Sequence, residues 1–350
     1  VPTFGRASSK NNEITDFWFF GTPPRNIFLF YKNSRFPSKF GVAKINKYLV
    51  TLQNNLKKYF MAHKAGFVSI LGKPNVGKST LMNALVGEKL SVITNKAQTT
   101  RHRIKGIVST DDYQIVFSDT PGILSPHYKL HESMMVNVDE AFVDADIMLY
   151  IVEIGETEPD ERIAKLDLSG GQKLIVVINK IDNAEQIIVE NALRFWAEKI
   201  PGAEIIPISA LHVFNIQKVL NTILDFLPEH PAFYPKDELT DKSYRFFISE
   251  IIREKILLLY RKEVPYSVEV VVDQFKEEGK MTRINAYIYV ARDSQKMIIL
   301  GKGGQAIKRL GTDARKDIEK FLDKKVFLEL TVKIDKDWRD NEQALKRFGY

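Results

Sequence analysis

Eight residues, Gly72-Lys73-Pro74-Asn75-Val76-Gly77-Lys78-Ser79, fit the pattern G-x-x-x-x-G-K-S/T of a glycine-rich phosphate-binding loop. Backbone N–H groups in such a loop wrap phosphate oxygens, and the N-terminus of the following helix adds its positive end. In that chemistry Lys78 reaches the β- and γ-phosphates and the Ser79 hydroxyl holds Mg2+. The pattern needs a strand before it and a helix after it. GFVSIL at 66–71 is a short apolar run, and TLMNALVG at 80–87 has helical spacing and stops at glycine. A chance glycine turn lacks that frame.

Three further motifs follow, each at the end of an apolar run. Asp119-Thr120-Pro121-Gly122 follows YQIVFS. Its aspartate can hold Mg2+ through water, and the Gly122 N–H can contact the γ-phosphate. Asn179-Lys180-Ile181-Asp182 follows LIVVI. The Asp182 carboxylate can accept from N1–H and the exocyclic amine of guanine, a donor pair that adenine lacks. A site built on such bonds rejects the wrong base by a factor on the order of 10⁴. Ser209-Ala210, after EIIPI, places backbone N–H groups near guanine O6. An N-K-x-D or D-x-x-G alone is most often ordinary surface sequence; four such motifs in order, each at a strand end, specify a guanine-nucleotide site. The nucleotide set is Asn75, Val76, Gly77, Lys78, Ser79, Thr80, Asp119, Gly122, Asn179, Lys180, Asp182, Ser209 and Ala210, and the reaction set is Lys78, Thr100 and Gly122.

This order resembles the translation-factor class of GTPases. In such proteins a threonine between the first two motifs closes over Mg2+ and γ-phosphate in the GTP state and lets go after hydrolysis. Here the segment is Lys96-Ala97-Gln98-Thr99-Thr100-Arg101-His102-Arg103. By resemblance to relatives with a threonine directly before the arginine, Thr100 is the expected ligand beside Ser79 and Asp119, with Thr99 in reserve; the bland alternative is a polar loop with solvated basic residues. After DTPG stands Ile123, where the Ras-like pattern has a glutamine that orients the attacking water. Isoleucine has no polar atom for this, so intrinsic hydrolysis is expected to be slow. Asn75 together with the TTR segment resembles GTPases in which an asparagine helps bind K+, which makes K+ stimulation a further expectation.

These motifs need a scaffold, and the chain supplies one. Strands are expected over 67–71, 103–109, 113–118, 146–152, 174–178 and 204–208, and helices over 78–86, 131–142, 158–166, 186–199 and 214–226. Such alternation predicts an α/β domain, a mostly parallel sheet with helices on both faces, with ligands beyond the carboxyl ends of the strands. Leu227-Pro228-Glu229-His230-Pro231 reads as the start of a linker. After it, a helix over 242–262, strands at 268–272 and 284–290, an apolar piece at 297–300, helices at 304–310 and 312–322, and a strand at 326–334 describe a smaller α+β unit.

The 350 residues suffice for two or three domains, and 44% apolar with 27% charged residues is ordinary for a globular protein. The absence of cysteine excludes disulfides, thiolate metal sites and thiol catalysis. No apolar run approaches a membrane span. Net charge is +8 over residues 1–60, −7 over 61–240 and +6 over 241–350, so the C-terminal third suits a polyanion.

Gly301-Lys302-Gly303-Gly304 is the second anchor. A G-x-x-G loop between two helices is what K-homology (KH) domains use to clamp single-stranded nucleic acid. Helix, two strands, this loop between helices and a last strand match the second topological type of that domain. Ile298, Ile299 and Leu300 then form an apolar platform for bases, and Lys296, Lys302, Lys308 and Arg309 supply phosphate contacts. The RNA set is Ile299, Gly301, Lys302, Gly303, Gly304, Lys308 and Arg309.

A chain carrying GKPNVGKSTLMN, KAQTTRHRI, DTPG and NKID and ending in a GKGGQAIKRLG domain closely resembles the bacterial Era GTPases over about residues 61–350. The resemblance implies a P-loop GTPase domain (61–228), a linker (229–241) and a type II KH domain (242–350). It also implies GTP/GDP and Mg2+ as ligands, a monomer, binding of 16S rRNA near its 3′ end, a role in small-subunit maturation, and cytoplasmic residence with peripheral association at the inner membrane. The rival is a signalling GTPase acting on a membrane or protein effector. Residues 1–60, basic and rich in aromatic clusters, are absent from the bacterial pattern. They read as an over-called start, an organelle-targeting segment or a true appendage.

Overall fold

The computed structural model describes residues 63–350 apart from Asn95, Ala97 and residues 167–170, and before them only three short strands. Those strands, β1 (Arg6–Ala7), β2 (Phe17–Phe20) and β3 (Phe28–Tyr31), pair antiparallel in the order β1-β2-β3. They belong to a unit of their own, Val1–Met61. The alternative readings of the extension otherwise lie outside the described residues.

From β4 (Lys64–Leu71) the chain builds the expected sheet. Helix α1 (Lys78–Val86) follows the glycine-rich loop, then β5 (Ile104–Ser109), β6 (Tyr113–Asp119), α2 (Lys129–Asp144) and β7 (Ile147–Glu153). After β7 come α3 (Glu161–Ala164), β8 (Lys173–Asn179), α4 (Gln186–Lys199), β9 (Glu204–Pro207) and α5 (Ile216–Phe226). The strand order is β5-β6-β4-β7-β8-β9, parallel except that β5 runs against β6. Strands β6 to β8 read as continuous apolar runs because both faces are covered. Residues of α1 and α5 share one core with Ile70, Phe117, Leu149 and Val177. Those of α2 and α4, Trp196 among them, share the other with Leu71, Tyr150 and Val176. The helix expected over 158–166 shrinks to the single turn α3, capped by the Asp160 carboxylate accepting from Arg162 N–H at 3.0 Å.

The proline-rich stretch after α5 is strapped to the sheet rather than hanging free. Gln114 Oε1 accepts from the backbone N–H groups of Phe233 and Tyr234 at 2.7 and 3.0 Å, and Leu239 O accepts from Ile107 N–H at 2.8 Å.

Helix α6 (Tyr244–Leu259), begun by a Ser243 cap, leads into β10 (Val268–Glu278) and β11 (Met281–Val290). Helices α7 (Asp293–Leu300) and α8 (Gln305–Leu322), strand β12 (Lys325–Ile334) and α9 (Glu342–Phe348) complete the chain. Strand β11 is central, antiparallel to β10 and parallel to β12. Ile252, Ile256, Ile284, Ile288, Leu310 and Ile318 form the core between this sheet and its helices.

The apolar piece at 297–300 is the last turn of α7, the helix that precedes the glycine loop. One expectation is corrected here. The two helices at 304–310 and 312–322 are one: α8 runs through Gly311, where the cost of about 1 kcal/mol for an interior glycine is outweighed by tertiary packing of its apolar face. Beyond β12, α9 crosses back to the α/β domain, where Trp338, Ala344 and Leu345 join the core that contains Leu130 and Met134.

Candidate functional site

The glycines of the loop are forced by close approaches. Gly72 has φ 146°, and a Cβ there would stand 2.3 Å from Ile151 O. Gly77 has φ 105°, and its Cβ would stand 2.2 Å from Asn179 Nδ2. Only glycine fits positions with both a positive φ and no room for a side chain. Asn179, buried, donates from Nδ2 to Val76 O at 2.7 Å and accepts at Oδ1 from Ala210 N–H at 2.9 Å. One amide therefore ties together the ends of β4, β8 and β9. The Val76 side chain lies in the core, so that residue faces a ligand only through its backbone.

Lys78 is buried at the start of α1 and donates from Nζ to Gly72 O at 3.1 Å and Lys73 O at 2.8 Å. Burial lowers its pKa to about 8, with the Asp119 charge opposing the shift. Such an ammonium, held against carbonyl oxygens, is a poised partner for phosphate.

Ser79 Oγ donates to Asp119 Oδ2 at 2.7 Å and lies 2.9 Å from Thr100 Oγ1, which itself lies 3.4 Å from Asp119 Oδ2. Thr99 is turned elsewhere, its hydroxyl bonded to Lys96 O at 2.6 Å and to the Thr94 hydroxyl at 2.7 Å. The geometry thus gathers Thr100, and not Thr99, with Ser79 and Asp119. Asp119 is fully buried and its Oδ1 makes no hydrogen bond of good geometry, while burial pushes the carboxyl up against the pull of Ser79, Lys78, Ser91 and Thr100. A buried carboxylate oxygen without a well-formed hydrogen bond, beside two hydroxyls, fits a hard cation such as Mg2+ completed by water and phosphate.

A cavity of about 510 Å³ runs from Ser79 and Thr100 past Lys78 and Gly77 to Asn179, Lys180 and Asp182. Asn75, Thr80, Gly122 and Ala210 also line it, whereas Asp119 and Ser209 stand behind the wall. The Ser209 hydroxyl holds the Asp182 carboxyl below its ordinary pKa, so it is ionised and ready to accept. Lys180 has φ 64° and pairs with Glu153 at 2.7 Å. Val92, Ile93, Thr94, Asn183 and Leu211, which lie outside every motif, also line it, as do Gln98 and Thr99 of the segment before Thr100. Ile123 is buried in the core, with its N–H on Gly72 O at 3.0 Å. A Cβ on Gly122 would meet the Pro74 backbone at 2.8 Å.

At the other anchor, Gly301, Gly303 and Gly304 all have positive φ, and added Cβ atoms at Gly303 and Gly304 would meet open space. Those two positions leave backbone bare towards solvent. Lys302, Lys308 and Arg309 are exposed. Ile299 is a correction: its side chain is fully buried in the domain core, leaving exposed Ile298 and half-buried Leu300 as the platform. Beside the loop a groove of about 390 Å³ separates α8 from β12. Lys308, Gly311, Thr312 and Arg315, spaced three and four apart, line it from the helix, and residues 327–330 from the strand. Arg309 points off this face and sits 3.9 Å from Asp313. The motif-based reading misses Arg315 and the β12 residues; the i, i+4, i+7 series from Lys308 is the one signal that leads to Arg315.

Comparison with known proteins agrees with this geometry. Residues 67–180 match the family model described as 50S ribosome-binding GTPase, and residues 263–339 match that of the KH domain. The GTPase Era of Clostridium novyi is 44% identical over 295 residues, covering 82% of this chain and 99% of the relative. That of Syntrophus aciditrophicus is 45% identical over 291 residues, covering 82% and 95%. A point variant of Aquifex aeolicus Era bound to GDP·AlF4− superposes with a TM-score of 0.78 at 40% identity, covering 82% of this chain and 99% of that one. A structure of Era in complex with MgGDPNP and nucleotides 1506–1542 of 16S ribosomal RNA gives 0.77 at 40% identity with the same coverage.

Proposed function

The chain belongs to the Era family of GTPases, and from that premise we propose that it is a GTP-driven switch that binds the 3′ region of 16S rRNA through its KH domain in small-subunit maturation. Its nucleotide domain hydrolyses GTP, as in the family. The observation that supports the residue roles most is the gathering of Ser79, Thr100 and the buried Asp119 carboxylate at one end of a cavity whose other end holds Asp182.

In this reading Lys78 and the loop amides counter the charge on the β- and γ-phosphates. Ser79 and Thr100 would ligate Mg2+ with Asp119 behind them; when bound, the ion supplies charge neutralisation between those phosphates. The Gly122 N–H meets the γ-phosphate. Asp182 selects guanine, with Asn179 holding the frame, Lys180 flanking the base and Ala210 lining the cavity beside it; the Ser209 and Ala210 amides expected near guanine O6 donate to Phe214 O at 3.3 Å and Asn179 Oδ1 at 2.9 Å. Water attacks the γ-phosphorus, the bond to the β-phosphate oxygen breaks, and GDP and phosphate leave. With Ile123 buried and apolar, no side chain there orients the water, so turnover is slow. Asn75 is the K+ ligand in this reading, and identical rates in KCl and NaCl at matched ionic strength would remove that role.

The RNA backbone passes over Gly303 and Gly304, with bases on Ile298 and Leu300 and in the groove that Lys308 and Arg315 border. Among the described residues no helix is long and apolar enough to cross a membrane. The protein acts as a monomer in the cytoplasm, with peripheral contact at the inner membrane. The test is titration of a small-subunit ribosomal RNA 3′-end oligonucleotide against the full chain loaded with GDP or a non-hydrolysable GTP analogue, with Gly303→Asp as control. State-dependent binding lost in the variant is the expected result. Binding that survives Gly303→Asp moves the RNA off the loop, and no binding in either state returns the basic domain to a membrane or protein effector.

A further inference from the structure

We propose that Arg253, on helix α6 of the C-terminal domain, is a positioning residue for GTP hydrolysis, because it grips the backbone on which Thr100 is carried. The inference rests on the nucleotide reading above and adds the part of the machinery that the second domain supplies.

Arg253 is buried and oriented by Glu250, whose carboxylate accepts from Nε at 2.7 Å and from Nη2. Its far edge faces the first domain, where Nη1 donates to Gln98 O at 3.2 Å and Nη2 donates to Thr99 O. Gln98 has φ 56°, a conformation that a non-glycine residue keeps only when its surroundings hold it there. The next residue but one, Thr100, turns its hydroxyl the opposite way, to Ser79 and Asp119.

Arg101 then returns the contact. Also buried, it donates from Nη1 to Val268 O at 2.7 Å and Glu269 Oε2 at 3.1 Å, and from Nη2 to Tyr266 O at 3.2 Å. Lys96 donates to the carbonyls that end α6, those of Leu257 and Tyr260. His102 stacks on Tyr350 at 4.2 Å, and the Tyr350 hydroxyl donates to the same Glu269 oxygen at 2.7 Å. The switch segment is therefore clasped by the C-terminal domain on one side while Thr100 faces the nucleotide cavity.

Two planar guanidinium groups buried against carbonyl oxygens hold a geometry far better than solvated lysines would. Moving the C-terminal domain withdraws the clasp, and with it the restraint on Thr100. By linkage, GTP and Mg2+ engaging Thr100 must favour the docked domain by the same factor.

The full chain tests this. The paired variant Arg253→Met with Glu250→Gln removes the grip without leaving a lone buried charge. Affinity for a non-hydrolysable GTP analogue with Mg2+, and kcat, are each expected to fall on the order of tenfold, within the roughly 5–150-fold range of such couplings. GDP affinity should stay within about twofold, because GDP has no γ-phosphate for Thr100 to follow. Arg253→Lys, with Glu250 in place, should recover part of the loss through one carbonyl contact. Equal losses for GDP and the analogue would mean a purely structural role and overturn the proposal, as would an unchanged analogue affinity and kcat. Should the paired variant not fold, Lys96→Ala loosens the same segment from its half-exposed end, and no selective loss of analogue affinity there also overturns it. Failure of the unmodified chain to bind the analogue at all would instead sink the nucleotide reading.

Discussion

Asn179 offers the sharpest separation of scaffold from ligand contact. Asn179→Ala removes a donor to Val76 O and an acceptor for Ala210 N–H, both in the interior, and leaves those two backbone groups unpaired. A buried backbone group left unpaired costs about 1–3 kcal/mol. Partial rescue by water in the space vacated beside Gly77 puts the total at roughly 2–4 kcal/mol. For a domain of this size, each kcal/mol shifts Tm by about 2–4 °C, so the ligand-free chain should melt about 4–16 °C lower. Thermal unfolding without nucleotide reads this directly, and GDP titration by calorimetry follows the site. Weaker GDP binding together with the lower Tm is the expected outcome, since the loop and the Ala210 turn lose their common tie. An unchanged Tm with a large loss of GDP affinity would contradict this account, because Asn179 would then act on the nucleotide and not on the frame.

Three other outcomes follow from the site. Thr100→Ala should lower Mg2+-dependent affinity for a GTP analogue by roughly tenfold, the loss of one or two hydrogen bonds near charge, while Thr99→Ala changes it little; equal effects would undo the assignment. Lys78, with its pKa lowered to about 8, loses its charge in the ligand-free site above that pH, so nucleotide affinity should be flat below pH 8 and fall by up to about tenfold per unit above it. The same group works the other way on stability: burying the ammonium is unfavourable, so between pH 8 and the unfolded value of 10.5 its contribution to the ligand-free fold becomes less unfavourable as pH rises. Arg315→Ala, in the groove, should weaken RNA binding and reduce its salt dependence by about one counterion, whereas Arg309→Ala, off the groove face, should change it less, and filter binding across a salt series separates the two.

The phosphate loop, DTPG and NKID were readable because phosphate and guanine chemistry leaves a local imprint: a glycine where a Cβ would strike Ile151 O, a carboxylate where guanine has two donors. The parallel sheet was readable because its doubly covered strands are apolar throughout. Arg101 was not. In the sequence it is one more basic residue in a polar loop, yet it is almost wholly buried, donating to the carbonyls of Pro265, Tyr266 and Val268 beside its ion pair with Glu269. Backbone acceptors carry no side-chain identity, so contacts between domains made through them have no motif. Ile299 failed for a related reason: three apolar residues in a row cannot all face outward on a helix, and turn-by-turn geometry sends the middle one into the core. Gly311 suggested a helix break because glycine marks ends more often than middles, and only the packing of α8 on the sheet shows that the turn continues.

The strap along β5 changes where this protein can be cut. Strand β5 is the outer strand of its sheet, and the carbonyl of Leu239 covers the amide of Ile107 while Asp241 covers that of Lys105 at 3.2 Å. A GTPase fragment ended at residue 228 would bare that margin and discard the backbone partners of Gln114 at Phe233 and Tyr234. Bare outer strands recruit other chains, so such a fragment is a candidate for self-association in the test tube. Ending it at 241 keeps the margin covered. It also places the joint, if the two halves swing, in the residues between Asp241 and α6 and not at the prolines.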